Sequence, residues 1–136
     1  GRPGALCIFA ETCGDALAME HDGSLYSCDH FVYPEYRLGN IKDSPLEMLA
    51  DSPVQREFGA NKRDLLPRQC IECPVRSLCN GGCPKQRFIE DKYGNPGLNY
   101  LCEGYYQYFT HTAPFMRQMA ELVRMGRPAA DIVRML

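Results

Sequence analysis

No run of apolar residues in this sequence approaches the roughly 18 that a membrane-spanning helix requires, which excludes a helical membrane anchor. Charge of one sign is lacking too: 15 Lys and Arg against 17 Asp and Glu leave a formal net charge of -2, with no general attraction for nucleic acid or anionic lipid. The N-terminus shows none of the positively charged, apolar and small-residue succession of a secretory signal. Apart from two groups of cysteines there is no internal repeat, and there is no low-complexity segment. At 136 residues, 45% hydrophobic and 24% charged, the chain fits one domain with a modest core. The expectation is a soluble, cytoplasmic protein without nucleic-acid or membrane partners.

What the sequence does have is cysteine. Eight cysteines fall in two blocks, Cys7, Cys13 and Cys28, then Cys70, Cys73, Cys79, Cys83 and Cys102. Thiolates are soft ligands, and four around one centre suit zinc or an iron–sulfur cluster, so two sets of four read as two metal centres. Four disulfides of a secreted scaffold are the competing account. Against it stand the missing signal, the crowding of Cys70, Cys73, Cys79 and Cys83, and Pro74 and Pro84. Close cysteines converge more readily on one metal than on separate bridges, and proline follows a cluster-ligating cysteine in bacterial ferredoxins. Each tetrathiolate [4Fe–4S] centre would add about -2, bringing the chain near -6 and making nearby cations helpful. Arg68, Arg76, Lys85 and Arg87 lie in or beside the second block, although each alone reads as a solvated surface charge.

Four stretches organise the chain. In residues 1–41, Ala16 to Glu20 and Leu25 to Cys28 flank His21-Asp22-Gly23-Ser24, whose Asp-Gly pair predicts a hairpin with Cys13 and Cys28 at one end. In residues 42–65, Ser44-Pro45-Leu46-Glu47 and Ser52-Pro53-Val54-Gln55 each offer a serine N-cap followed by proline, predicting two short helices that space the cysteine blocks. Residues 66–102 hold the dense cysteines and Gly81-Gly82 with little periodicity, and irregular backbone around a metal is expected over Leu66 to Gly97. In residues 103–136, Phe115, Met116, Met119, Leu122 and Val123 recur at helical spacing behind Thr112 as cap, Gly126 ends the pattern, and a short helix follows Pro128. Tyr105, Tyr106, Tyr108 and Phe109 with these methionines would line either a core or a peptide groove, and such stripes more often pack. The fold class expected is a small, irregular, metal-stabilised α+β domain with a hairpin near its N-terminus, cysteine-rich loops around two clusters and C-terminal helices.

The pattern Cys13-x9-Gly23-x4-Cys28, a gap, Cys70-x2-Cys73-x5-Cys79-x3-Cys83, a second gap and Cys102 closely resembles SPASM domains, the C-terminal extensions of certain radical SAM enzymes. Within that group, several further features look like anaerobic sulfatase-maturating enzymes. They are Cys7, the run Cys28 to Tyr36 with Leu38-Gly39-Asn40-Ile41, the run Cys79 to Lys85, and Leu98 to Cys102. The resemblance implies an enzyme in which a partial α/β barrel binds S-adenosylmethionine and one catalytic [4Fe–4S] cluster, while this extension binds two auxiliary [4Fe–4S] clusters. Such an enzyme converts a cysteine or serine of a sulfatase polypeptide into Cα-formylglycine, with an auxiliary cluster as electron acceptor and ferredoxin or flavodoxin as electron donor. By family pattern the first auxiliary cluster takes Cys7, Cys13, Cys28 and Cys83, and the second takes Cys70, Cys73, Cys79 and Cys102. Spacing alone would have grouped Cys70, Cys73, Cys79 and Cys83 instead.

Asp29 matches the family's proposed general base for the substrate thiol or hydroxyl, and a carboxylate near a cluster can have a raised pKa that suits this role. Its alternative part is to cap a turn beside Cys28. His30 is not needed as a ligand if eight cysteines fill two four-coordinate sites. Tyr33, Tyr36 and Tyr100 read as packing or substrate-facing surface. One family feature is absent: the CxxxCxxC triad of the catalytic cluster, since Gln86 stands where Cys79-x3-Cys83 would need its third cysteine. Gly1-Arg2-Pro3-Gly4 read as the end of an interdomain linker, and the barrel is missing. Two other readings remain at this point, the SPASM domain of an enzyme that modifies ribosomal peptides and a zinc-binding interaction module, since tetrathiolate sites also accept zinc in aerobic preparations. Incubated alone with S-adenosylmethionine, reductant and a sulfatase peptide, the chain is expected to form no formylglycine; product detected by peptide mass would overturn the reading.

Overall fold

The computed structural model describes residues 6–14 and 16–135, so the linker reading of residues 1–4 lies outside the described residues. The sequence reads as one domain, whereas the contacts divide the chain into two compact units, residues 1–100 and residues 101–136. The protein is a small α+β chain.

In the first unit, β1 (Ala18–Met19) and β2 (Ser24–Tyr26) form the expected antiparallel hairpin. Asp22 Oδ1 accepts from the Ser24 amide at 2.8 Å, and Gly23 takes φ +89°, a conformation glycine adopts without strain. The hairpin is shorter than Ala16 to Cys28, because the Ser27 amide turns to the Tyr36 carbonyl and Cys28 opens a 3-10 turn over Asp29–Phe31. A third strand, β3 (Arg37–Asn40), pairs antiparallel with β2, placing Leu25 opposite Gly39 beside a bulge. Four residues with a glycine among them carry too little alternation to announce a strand.

Two helices follow, α1 (Leu46–Ala50) and α2 (Pro53–Asp64). Ser52 caps α2 as expected, its Oγ accepting from the Gln55 amide at 3.2 Å. Ser44 does not cap α1: its amide bonds to the Asn40 carbonyl in the turn after β3, and Pro45 becomes the N-cap. The stretch expected to be irregular holds short elements, α3 (Arg68–Ile71), α4 (Arg76–Cys79) and a hairpin of β4 (Ile89–Glu90) and β5 (Pro96–Leu98). Each is four residues or fewer, too short for periodicity to register. Leu25, Phe31, Leu49, Leu66, Val75 and Leu98 form the buried core, with Phe31, Tyr36 and Phe58 meeting edge to face at 4.7–5.7 Å.

In the second unit, α5 (Cys102–Arg124) starts ten residues before the Thr112 cap that the sequence suggested. Thr112 lies inside it, where its hydroxyl donates to the Tyr108 carbonyl at 2.8 Å instead of capping. Gly126 does end it, with φ +74° and the paired bonds Gly126 N to Val123 O and Arg127 N to Leu122 O. After Pro128 a 3-10 segment, Ala129–Arg134, packs on α5 and buries Ile132 with Leu122. Tyr105, Phe109, Phe115 and Met119 are half-buried, while Tyr106, Tyr108 and Met116 are exposed, contrary to a packing role for those three. Within this unit a 3-10 segment of six residues covers only part of a 23-residue helix. No helix among the described residues is long and apolar enough to cross a membrane.

Asp91 ties the β4–β5 turn to α3, accepting from the amides of Tyr93 and Asn95 at 2.8 Å and of Gln69 at 3.1 Å. Burial would raise its carboxyl, but these amides with the Asn95 side chain outweigh burial and hold it at about 2. A carboxyl held below its ordinary value near 4 stabilises the fold above that pH and loses the contribution as pH falls toward 2. Asp91→Asn should therefore lower the thermal midpoint at pH 7, with the gap to wild type closing toward about pH 2; a gap independent of pH would refute this role.

Candidate metal centre

Gln55, Gly59 and Lys62 lie four and three residues apart on α2, which puts them on one face, and all three are buried. That face is polar, and each member grips the backbone of the first cysteine block. Gln55 Nε2 donates to the carbonyls of Gly14 (3.4 Å) and Ser27 (3.3 Å), neighbours of Cys13 and Cys28. The Gly59 carbonyl accepts from the Cys13 amide at 3.1 Å. Lys62, only 1% exposed, donates from Nζ to the carbonyls of Cys7 (2.5 Å) and Ile8 (3.1 Å). More than a spacer, α2 holds the loops on which Cys7, Cys13 and Cys28 stand.

The second block is held in the same way, by side-chain donors on carbonyls. Half-buried Arg87 donates from Nε to Gly81 O at 3.0 Å, from Nη2 to Asn80 O at 2.8 Å and Gly82 O at 3.2 Å, and from Nη1 to Lys62 O at 2.7 Å. Asn99 adds bonds to the carbonyls of Gly81 and Cys83, and Asn80 reaches the Phe9 carbonyl at 2.8 Å. Asn80, Gly81 and Gly82 all have positive φ, curling the chain so that the Gly81 and Gly82 amides face Cys79.

Electrostatics divides the sulfurs into neighbourhoods. Cys13 feels Cys83 and Cys7, and Cys28 feels Cys13, which makes Cys13 the common neighbour of the other three. Cys79 feels Cys73. Cys70 is buried at the end of α3, and Cys102 opens α5 in the second unit. Cys7, Cys13, Cys28, Cys73, Cys79 and Cys83 carry no disulfide. Burial pushes the thiols of Cys13 and Cys79 up and that of Cys28 up to about 11.

Lys62 and Arg87 share an unusual position. Burial lowers both pKa values, and the opposing charges come from cysteines: Cys13, Cys7 and Cys83 around Lys62, and Cys70, Cys13, Cys79 and Cys83 around Arg87. The ion pairs among the described residues are Glu20 with His21, Arg63 with Asp64, Arg68 with Glu72 and Arg127 with Asp131, and neither Lys62 nor Arg87 belongs to one. A cavity of about 240 Å³ whose lining includes Phe31, Tyr36, Phe58, Leu65 and Pro84 abuts both cations and presents a mostly apolar wall. Buried cations call for anions. Soft thiol donors beside two cations that no described carboxylate pairs with fit anionic tetrathiolate centres such as an iron–sulfur cluster.

Asp29 and His30 sit between Cys28 and Cys83. Asp29 Oδ1 accepts from Cys28 Sγ at 3.1 Å and from the His30 amide at 3.0 Å, while His30 Nδ1 lies 3.5 Å from Cys83 Sγ. Cys28, Asp29 and His30 each offer a ligand atom within 4.8 Å of the others. With Cys28 as a thiol, its Sγ–H and the His30 ring and backbone hold the exposed Asp29 carboxyl below its ordinary value. Asp29 is thus an ionised, accessible acceptor at neutral pH. Tyr33 is exposed with its hydroxyl against Lys85, Tyr36 packs on Phe31, and Tyr100 stacks on Phe88.

Sequence reasoning missed Gln55 and Lys62 and passed over Arg87 as surface charge. Arg68, exposed and paired with Glu72, and Lys85, exposed over the Tyr33 ring, do match the surface reading. The available signal was Gln55-x3-Gly59-x2-Lys62, a polar stripe with glycine at helical spacing.

Comparison with known proteins gives a consistent picture. Residues 7–74 match SPASM, an iron-sulfur cluster-binding domain. The whole chain is 48% identical over 136 residues to a serine-type anaerobic sulfatase-maturating enzyme of Bacteroides thetaiotaomicron, spanning 33% of that protein. It is 30% identical over 118 residues, 87% of this chain and 31% of the relative, to a cysteine-type anaerobic sulfatase-maturating enzyme of Clostridium perfringens. Among solved structures, native anSMEcpe with bound AdoMet and Cp18Cys peptide superposes with TM-score 0.73 at 30% identity, covering 88% of this chain and 33% of that one. The chain thus spans about a third of the length of the relatives it matches.

Gly59 has no room for a side chain, since a Cβ there would lie 2.7 Å from the Cys13 carbonyl oxygen. Gly59→Ala would gain about 1 kcal/mol of helix propensity but suffer an overpacking cost of ~1–3 kcal/mol. The reconstituted variant should melt lower and retain less metal than wild type; an unchanged or higher melting temperature would refute the close approach.

Proposed function

Because the chain belongs to the SPASM family of iron–sulfur cluster-binding domains, we propose that it binds two auxiliary [4Fe–4S] clusters as the C-terminal part of a radical SAM, anaerobic sulfatase-maturating enzyme. The observation that carries this reading is the pair of cations, Lys62 buried and Arg87 half-buried, with cysteines as their electrostatic neighbours and no carboxylate paired with either among the described residues. Cys7, Cys13, Cys28 and Cys83 would hold the first cluster, a set supported by the electrostatic contact of Cys13 with each of the other three. Cys70, Cys73, Cys79 and Cys102 would hold the second. The clusters supply electron acceptance when bound.

The chain's own residues do the rest. Asp29 takes the proton from the hydroxyl or thiol of the sulfatase serine or cysteine at a carboxylate oxygen that is ionised and exposed. The bond from the His30 amide to Asp29 Oδ1 fixes that carboxylate beside Cys28, so proton acceptance would occur next to the first cluster's ligands. Lys62 and Arg87 offset negative charge in a partly apolar surround, where water would otherwise screen it. The sulfatase polypeptide, the barrel with S-adenosylmethionine and its own cluster, a ferredoxin- or flavodoxin-like donor and a cytoplasmic setting complete the proposal. Peptides bound in solved neighbours support the polypeptide partner.

Anaerobic reconstitution followed by iron, sulfide and zinc quantitation and an EPR spectrum of the reduced chain tests the reading. About eight irons and eight sulfides per chain are expected. Two zincs with no stable iron would overturn it.

A further inference from the structure

Cys79 and Cys83 fall to different clusters in the proposed assignment, and only Asn80, Gly81 and Gly82 separate them. Arg87 binds the carbonyls of all three connector residues, and its fourth bond goes to the Lys62 carbonyl on α2. Every one of these acceptors is a neutral carbonyl, so the bonds fix the guanidinium in place without neutralising it. Lys62 is fixed differently, its ammonium on the carbonyls of Cys7 and Ile8 at the first block. The two cations therefore stand in unequal positions, Lys62 against one set of sulfurs and Arg87 at the junction of both.

We infer that Arg87 is a shared counter-cation that raises the reduction potentials of both auxiliary clusters together, whereas Lys62 acts on the first cluster alone. The inference rests on the two-cluster reading above. Reduction adds a negative charge to a cluster, and a fixed cation nearby stabilises the reduced form by Coulomb attraction, the more so where water is excluded. Arginine stays charged at any working pH, so this contribution is permanent. The sulfurs acting on each cation follow the same division, with Cys70 and Cys79 as well as Cys13 and Cys83 around Arg87, and Cys13, Cys7 and Cys83 around Lys62, which also feels Arg87 itself. Arg87 acts through the clusters and is a positioning residue.

The test is a redox titration followed by EPR on the full chain, reconstituted anaerobically, as wild type, Arg87→Gln, Arg87→Lys and Lys62→Gln, with iron and sulfide counted in each. The first cluster's signal is identified as the one lost in Cys7→Ser. Arg87→Gln, which keeps amide donors but removes the charge, should lower both midpoint potentials, and Arg87→Lys should restore them toward wild type. Lys62→Gln should lower the first and leave the second in place. A fully loaded Arg87→Gln chain with either potential unchanged, or a Lys62→Gln chain with both lowered equally, would overturn the inference. If Arg87→Gln fails to load, Arg87→Lys decides: potentials near wild type support the charge, and a fall of both by as much as Lys62→Gln lowers the first overturns it. A wild-type chain holding zinc or a single cluster would instead overturn the two-cluster reading, an outcome the iron count separates from the others.

Discussion

Lys62 carries a charge into a place where only 1% of its surface meets water, and among the described residues no carboxylate pairs with it. Desolvating a lysine is costly unless something negative waits for it. Here what waits are cysteine sulfurs, with two carbonyls orienting the ammonium from the side. The thiols have the complementary difficulty, because burial favours their protonated form while a metal requires thiolates. Cation and thiolate relieve each other, and the positions of α2 and the two cysteine blocks follow from keeping them together.

That dependence explains why a chain with so little regular structure holds its loops. The cysteine-bearing segments make few ladder bonds of their own, and their carbonyls are instead satisfied by Gln55, Lys62, Asn80, Arg87 and Asn99. Five side chains spread over three segments replace what a sheet would supply, since buried carbonyls must find donors somewhere. The cost is sensitivity, because Gln55, Lys62, Arg87 and Asn99 each hold two or more carbonyls.

The sequence was most legible where one short motif decides a structure unaided. Asp22-Gly23 reads as a reversal because the side chain bonds its own backbone, and Ser52-Pro53 reads as a helix start for the same local reason. The cysteine spacing pointed to metal and to a family, and the family followed. Legibility failed where the deciding partner is remote. β3 depends on β2, Ser44 is taken by Asn40, and α5 runs through Pro114 with threonine hydroxyls bonded back along it. Lys62 looks like any helical lysine until the Cys7 loop is laid across it, and Asp29 was expected to hold its proton more tightly than its donors permit.

The curl over Asn80, Gly81 and Gly82 also sets a length. Four peptide units from Cys79 to Cys83 reach at most about 14 Å even when fully stretched, and left-handed backbone keeps them shorter. If those two cysteines serve different centres, the centres are tethered by covalent bonds and cannot drift apart, however the rest of the chain breathes. Such a pair would be gained and lost as a unit: stripping one centre would free an end of the leash that steadies the other, and partial occupancy would be a short-lived state.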